Sequence, residues 1–167
     1  NRVQEAEGKF LELKENIKNL ELHLTGPLQR NKVKNAIKIF DYFHTLDREK
    51  IANEFFKYQH LLSNKKFFIQ INIGREKTKS GVFPELADEF IGHCKNTLKL
   101  NIIGLMCIPP MQENPQPYFK ELKNIAEKNN LKELSMGMSS DYKEALVCGS
   151  TFVRVGTMLF GKRNYEN

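Results

Sequence analysis

No run of apolar residues in this 167-residue chain approaches the length of a membrane span, about 20 residues. Residues 1–20 are charged throughout, unlike a secretory leader. The expectation is therefore a protein without a membrane partner, placed in the cytoplasm. Cysteine is scarce: Cys94, Cys107 and Cys148 are odd in number and far apart. That argues against a disulfide framework or a cysteine-based zinc site and suits a reducing compartment. Each is expected to be a small buried or half-buried apolar residue. No His/Asp/Glu cluster has metal-ligand spacing, so no metal is expected. No catalytic residue is assigned, because no nucleophile–base pair can be named; Ser139 has no histidine near it in sequence. No glycine-rich fingerprint follows an early strand, as a dinucleotide fold would require.

Charge is plentiful. Lys and Arg number 26 against 20 Asp and Glu, a net charge of +6. The cations are spread over every expected helix and alternate with acids, which is the pattern of a solvated surface. No RNA-binding motif is present, and no strand interleaves aromatic and basic residues as a stacking platform would. A nucleic-acid-binding domain rests on charge alone and is the remotest of three readings. Composition is otherwise that of a globular domain, 40% hydrophobic and 28% charged.

Apolar positions Val3, Ala6, Phe10, Leu13, Ile17 and Leu20 recur every three or four residues, which predicts a helix over 2–19. Strands are expected over 20–25, 42–46, 66–73, 100–107, 131–136 and 151–155. Helices are expected between them, over 31–40, 47–58, 84–94, 116–128 and 141–148, with a short helical or irregular tail at the end. Regular alternation of strand and helix implies a parallel sheet with right-handed crossovers. An open doubly wound sheet and a (β/α) barrel both fit. The barrel is favoured because polar residues cluster where strands end. The turns that end the last two strands are rich in Ser, Thr and Gly, where barrels commonly hold a phosphate. Backbone N–H groups there point outward. Simple capping by Ser139, Ser140 or Asp141 is the plainer alternative.

Only six strands are present, and an eight-stranded barrel typically needs about 250 residues. The expectation is one barrel domain over 1–167 that lacks its first two strands. Such a barrel leaves two open sheet edges and an uncovered interior, so poor stability is expected unless the missing part is supplied.

Leu-Ser-Met-Gly-Met-Ser-Ser-Asp at 134–141 and Gly-Ser-Thr-Phe-Val-Arg-Val-Gly-Thr-Met-Leu-Phe-Gly at 149–161 carry a family resemblance. So do His-Leu-Thr-Gly-Pro-Leu-Gln-Arg-Asn-Lys at 23–32, His-Thr-Leu-Asp at 44–47, Gln-Ile-Asn-Ile at 70–73, Lys-Ser-Gly at 79–81 and Gly-Leu-Met at 104–106. Asn1 to Ala6 agrees as well. Together they resemble the pyridoxal 5′-phosphate (PLP) homeostasis proteins. The resemblance implies an alanine racemase N-terminal-type (β/α)8 barrel, here with about six of its eight strands. It implies a protein that binds PLP and passes it to apo-enzymes without established turnover, as a monomer or weak dimer. It also implies a Schiff-base lysine on the family's first strand, which this sequence does not contain; covalent attachment is then not expected. A PLP-dependent racemase is the alternative, but known racemases add a C-terminal β-domain with a catalytic tyrosine.

The residues themselves can meet such a ligand. Ser139 offers a hydroxyl and an N–H to a phosphate, Gly156 allows close backbone approach, and Thr157 adds an N–H and a hydroxyl. Arg154 alternates with Val153 and Val155 on a strand, where an arginine is costly unless paired. The resemblance places it near the ring nitrogen, where a fixed cation keeps that nitrogen unprotonated; a structural ion pair is the alternative. His23 and His44 fall at strand ends and can face the pocket, and Asn1 matches a residue on the family's second strand. His60 and His93 are expected on the surface. Lys32 and Lys79 are read as solvated loop lysines or as contacts for a second anion.

Overall fold

Among the described residues six strands form one sheet in the order β1 to β6, every neighbouring pair parallel. They are β1 (His23–Leu24), β2 (Tyr42–Leu46), β3 (Lys66–Ile71), β4 (Ile102–Cys107), β5 (Glu133–Met138) and β6 (Phe152–Arg154). A computed structural model describes residues 1–161; of the tail expected after the last strand, residues 162–167 lie outside the described residues. Helices α1 (Val3–Asn16), α2 (Val33–Ile39), α3 (Glu49–Phe56), α4 (Ala87–Gly92), α5 (Gln116–Lys128), α6 (Tyr142–Val147) and α7 (Thr157–Phe160) separate and flank the strands. Sequential order decides between the two architectures. When each strand is laid beside the one before it by a right-handed crossover, all helices fall on one face. The opposite face is left free to curl inward. Over the described residues the chain is a six-stranded half-barrel.

Alternation along the strands sorts their side chains between these two faces. On the helix side, Phe43, Leu46, Phe67, Ile69, Leu105, Leu134 and Met136 join the main core with Ile51, Ala52, Phe55 and Phe119 from the helices. Phe67 is its centre. Its ring stacks on Phe43 at 5.2 Å and meets Phe55 edge-on at 4.9 Å. On the concave side lies a small second cluster of Tyr42, Phe68 and Met106, packed by Ile103 and Phe152. At Gly104 β4 leaves no room for a side chain against β5: a Cβ there would lie 2.0 Å from the Glu133 carbonyl oxygen. All three cysteines are buried and unpaired, as expected.

Three expectations change. The strand over 20–25 shrinks to His23–Leu24. The Asp41 carboxylate accepts the Leu22 N–H at 2.9 Å, taking a bond that a neighbouring strand would otherwise make. Lys14 holds that carboxylate at 2.6 Å. The strand over 131–136 moves to Glu133–Met138. The stripe on α1 reaches the core only through Val3 and Ala6, whereas Phe10, Leu13 and Ile17 are 38%, 42% and 47% exposed. Among the described residues, nothing covers them further.

Candidate functional site

A cavity of about 970 Å³ opens at the C-terminal ends of the strands on the concave side. Asn1, His23, His44, Arg154 and Gly156 line it, together with Phe152 and Lys9. Four of the six expected ligand contacts, Asn1, His23, Arg154 and Gly156, are thus brought to one place. Ser139 and Thr157 stand beside this lining and are not part of it.

Arg154 closes β6, and it and Phe152, both half-buried, line the cavity. Its guanidinium is pinned at both tips. Nη1 donates to Ser135 Oγ at 2.7 Å, and Nη2 donates to the Cys107 carbonyl at 2.8 Å. Both acceptors are neutral. Among the described residues no carboxylate makes an ion pair with Arg154, so the structural ion pair is not what the fold provides. Burial lowers its pKa from the ordinary value, against weaker opposite pulls from Cys107 and Asp141. Burial also pushes the Cys107 thiol up to about 12, so that thiol is not a counter-anion. A fixed, uncompensated cation at a cavity wall is costly unless something anionic or electron-rich joins it.

Two histidines continue from Ser135. The Oγ of Ser135, fully buried on β5, lies 2.8 Å from His44 Nδ1. His44 Nε2 lies 2.9 Å from His23 Nδ1. His44 is sandwiched against Phe68 at 4.4 Å, and His23 stacks on Tyr42 at 4.1 Å. Burial, then His23, then Arg154 lower the His44 pKa to about 3. Burial also lowers that of His23. The sign for stability follows. The unfolded chain protonates His44 near the ordinary imidazole value of 6.5, but the folded chain does so only near 3. Between these values the unfolded state binds more protons, so stability falls as pH drops through the window. His44 contributes a slope of up to about 1.4 kcal/mol per pH unit. Urea midpoints of the wild type and His44→Gln across the window measure it. The variant should lose this slope, and equal slopes would refute the assignment.

The two turns after β5 and β6 do converge. Ser139 Oγ accepts the Met158 N–H at 3.3 Å. Asp141 does not cap α6, because its side chain makes no bond to the start of that helix and instead takes the Met138 N–H at 2.6 Å, whereas the Ser139 bond satisfies an N–H in the first turn of α7. Gly156 has φ −120°, which any residue adopts, and an added Cβ there would meet nothing within 4 Å. Neither backbone nor packing requires glycine, so the space above it is free for a ligand. Thr157 opens α7 and is exposed.

Asn1 is held by Thr25, whose hydroxyl donates to Asn1 Oδ1 at 2.8 Å. Lys79 has an exposed side chain, but its loop is far from loose. The buried Asn72 amide donates to the carbonyls of Glu76 at 2.8 Å and Lys79 at 3.2 Å, and its oxygen accepts the Glu76 N–H. Gly81 completes this turn at φ +120°, with a would-be Cβ 2.6 Å from the Asn72 nitrogen. Lys32 is half-buried and lines a different cavity, with Arg2 and Arg48. His60 is exposed as expected, but His93 is not a plain surface residue: its Nε2 is buried and finds no partner among the described residues. Sequence reasoning missed Ser135, Asn72 and Lys9. Ser135 had a signal, a lone hydroxyl alternating with Leu134 and Met136. Asn72 sat in a motif read only for its resemblance, and Lys9 looks like any exposed helical lysine.

Residues 1–164 match the family model described as alanine racemase, N-terminal domain. The pyridoxal phosphate homeostasis protein of Aquifex aeolicus is 40% identical over 99% of this chain and 76% of its own length. That of Escherichia coli K12 is 35% identical over 99% and 75%. Among solved structures, PipY of Synechococcus elongatus with PLP bound superposes with a TM-score of 0.85 at 33% identity, over 96% of this chain and 79% of its own. An alanine racemase of Clostridium difficile superposes with a TM-score of 0.67 at 17% identity, a likeness of fold alone. No helix among the described residues is long and apolar enough to cross a membrane. With this fold, and with relatives of this identity along nearly its whole length, the chain belongs to the pyridoxal phosphate homeostasis protein family.

Proposed function

We propose that the chain binds pyridoxal 5′-phosphate in the concave cavity and serves to hold and deliver it, with no turnover of its own. The observation that carries this is the pinned, uncompensated Arg154 facing a cavity whose floor at Gly156 is open. Ser139, Gly156 and Thr157 take the phosphate, through hydroxyls and N–H groups on two turns already joined by the Ser139–Met158 bond. Arg154 stands at the ring nitrogen, and His23 and Asn1 complete the wall. When bound, the cofactor supplies an aldehyde for amine chemistry and a ring that acts as an electron sink. A guanidinium beside the ring nitrogen keeps that nitrogen unprotonated and so weakens the sink, which suits a carrier. Of the described lysines only Lys9 lines the cavity, and it is exposed on α1. Binding is read as non-covalent. Delivery to PLP-dependent apo-enzymes, from a monomer or weak dimer in the cytoplasm, belongs to the same reading. The experiment is a titration of the full chain with PLP, followed by absorbance and by racemisation of free amino acids. Saturable binding without turnover is expected. The absence of a saturable spectral change overturns the binding, and rapid racemisation overturns the carrier role.

A further inference from the structure

The bonds around Ser135 fix where the protons lie. Arg154 has donors only, so Ser135 Oγ must accept from it. The Ser135 side chain is fully buried, and its remaining partner among the described residues is His44 Nδ1. Were His44 protonated at Nδ1, Ser135 would accept twice and its own hydrogen would be buried without an acceptor, at a cost of about 1–3 kcal/mol. The satisfied arrangement runs one way. Ser135 donates its hydroxyl hydrogen to His44 Nδ1. His44, neutral, then carries its hydrogen on Nε2 and donates to His23 Nδ1. His23, neutral in turn, carries its hydrogen on Nε2. That nitrogen makes no bond among the described residues, and His23 lines the cavity.

We propose that Arg154, Ser135, His44 and His23 form a proton-ordered row in which every donor points away from Arg154, so that His23 presents an Nε2–H to the cavity and selects a ligand with an oxyanion at that end. The inference about the row rests on this chain alone. The choice of ligand rests on the proposed PLP binding, whose ring phenolate oxygen is such an acceptor. The arrangement places two donors of different kind on one wall, a guanidinium and an imidazole N–H, held by one serine. Burial keeps both rings from protonating under neutral conditions, so the polarity of the row persists.

Ring ¹⁵N–¹H correlation spectra of the ligand-free full chain test the order directly. His23→Gln and His44→Gln assign the two patterns. Neutral rings are expected, each protonated at Nε2 and bare at Nδ1. Protonation of His44 at Nδ1, or a cationic ring at neutral pH, overturns the row, and the wild-type spectrum alone decides this. In Ser135→Ala, His44 Nδ1 loses its donor, and both tautomers should become populated. The ligand half is read by PLP titration. His23→Phe should weaken binding by about tenfold or more, the worth of one hydrogen bond to an anion. His23→Gln, whose amide can still donate, should recover most of that loss. Equal affinity of His23→Phe and wild type overturns the selection. A wild type that binds no PLP sinks the proposed function while leaving the spectra to judge the row.

Discussion

Arg154→Ala weakens PLP binding by roughly 10- to 150-fold, the equivalent of about 1.5–3 kcal/mol for a lost charge-assisted interaction. The guanidinium is a half-buried, fixed cation of the cavity wall, and its two tips are already spoken for by Ser135 Oγ and the Cys107 carbonyl. Its orientation is therefore set before any ligand arrives, and little ordering entropy remains to be lost on binding. Alanine removes the charge and also strips both acceptors of their partner. Arg154→Lys separates the two contributions, because an ammonium restores charge but not the planar fork. It should recover only part of the affinity. Titration of both variants with PLP, with the absorption spectrum of the bound form recorded, is the measurement. An Arg154→Ala chain with unchanged affinity and an unchanged spectrum would remove Arg154 from the site.

Phe67→Ala costs about 3–5 kcal/mol of folding free energy, the usual range for deleting a buried aromatic ring. Phe67 is fully buried at the middle of the sheet and touches rings from both β2 and α3. The cavity left behind is walled by Phe43 and Phe55, themselves fully buried, so collapse around it is restricted. Domains of this size are stable by about 5–15 kcal/mol. Among the described residues β1 and β6 each pair on one side only, so this single change should remove a large share of the stability. Urea denaturation measures it. A loss below about 1 kcal/mol would mean that the core between sheet and helices is looser than its packing indicates.

Much of this was legible in the chain. The alternation of Phe67, Ile69 and Ile71 with Phe68 and Gln70 marks β3, because a strand turns successive side chains to opposite faces. The three-and-four spacing on α3 and α5 is equally local. The Ser- and Gly-bearing turns after β5 and β6 were readable as turns from their residue types; that the two turns meet was not. The errors arose where tertiary contacts outweighed local pattern. Leu20 and Leu22 alternate like a strand, yet the Asp41 carboxylate claims the Leu22 N–H. Phe10, Leu13 and Ile17 repeat like a buried face, yet that face is left open. His93 lies in a helical stretch, yet its Nε2 is sealed from solvent.

By itself the sequence determined the order of elements, the parallel sheet and the family, since each is written in neighbouring residues or in motifs read whole. It also nominated Arg154, His23, Gly156 and Asn1 one at a time. Only the tertiary structure decided that they share a cavity, that Arg154 is held by neutral acceptors, and that Ser135 joins it to His44. Ser135 and His44 lie 91 residues apart, on strands that are not neighbours in the sheet. Their 2.8 Å contact exists because the sheet curls toward its helix-free face, and that curvature is a property of six strands together.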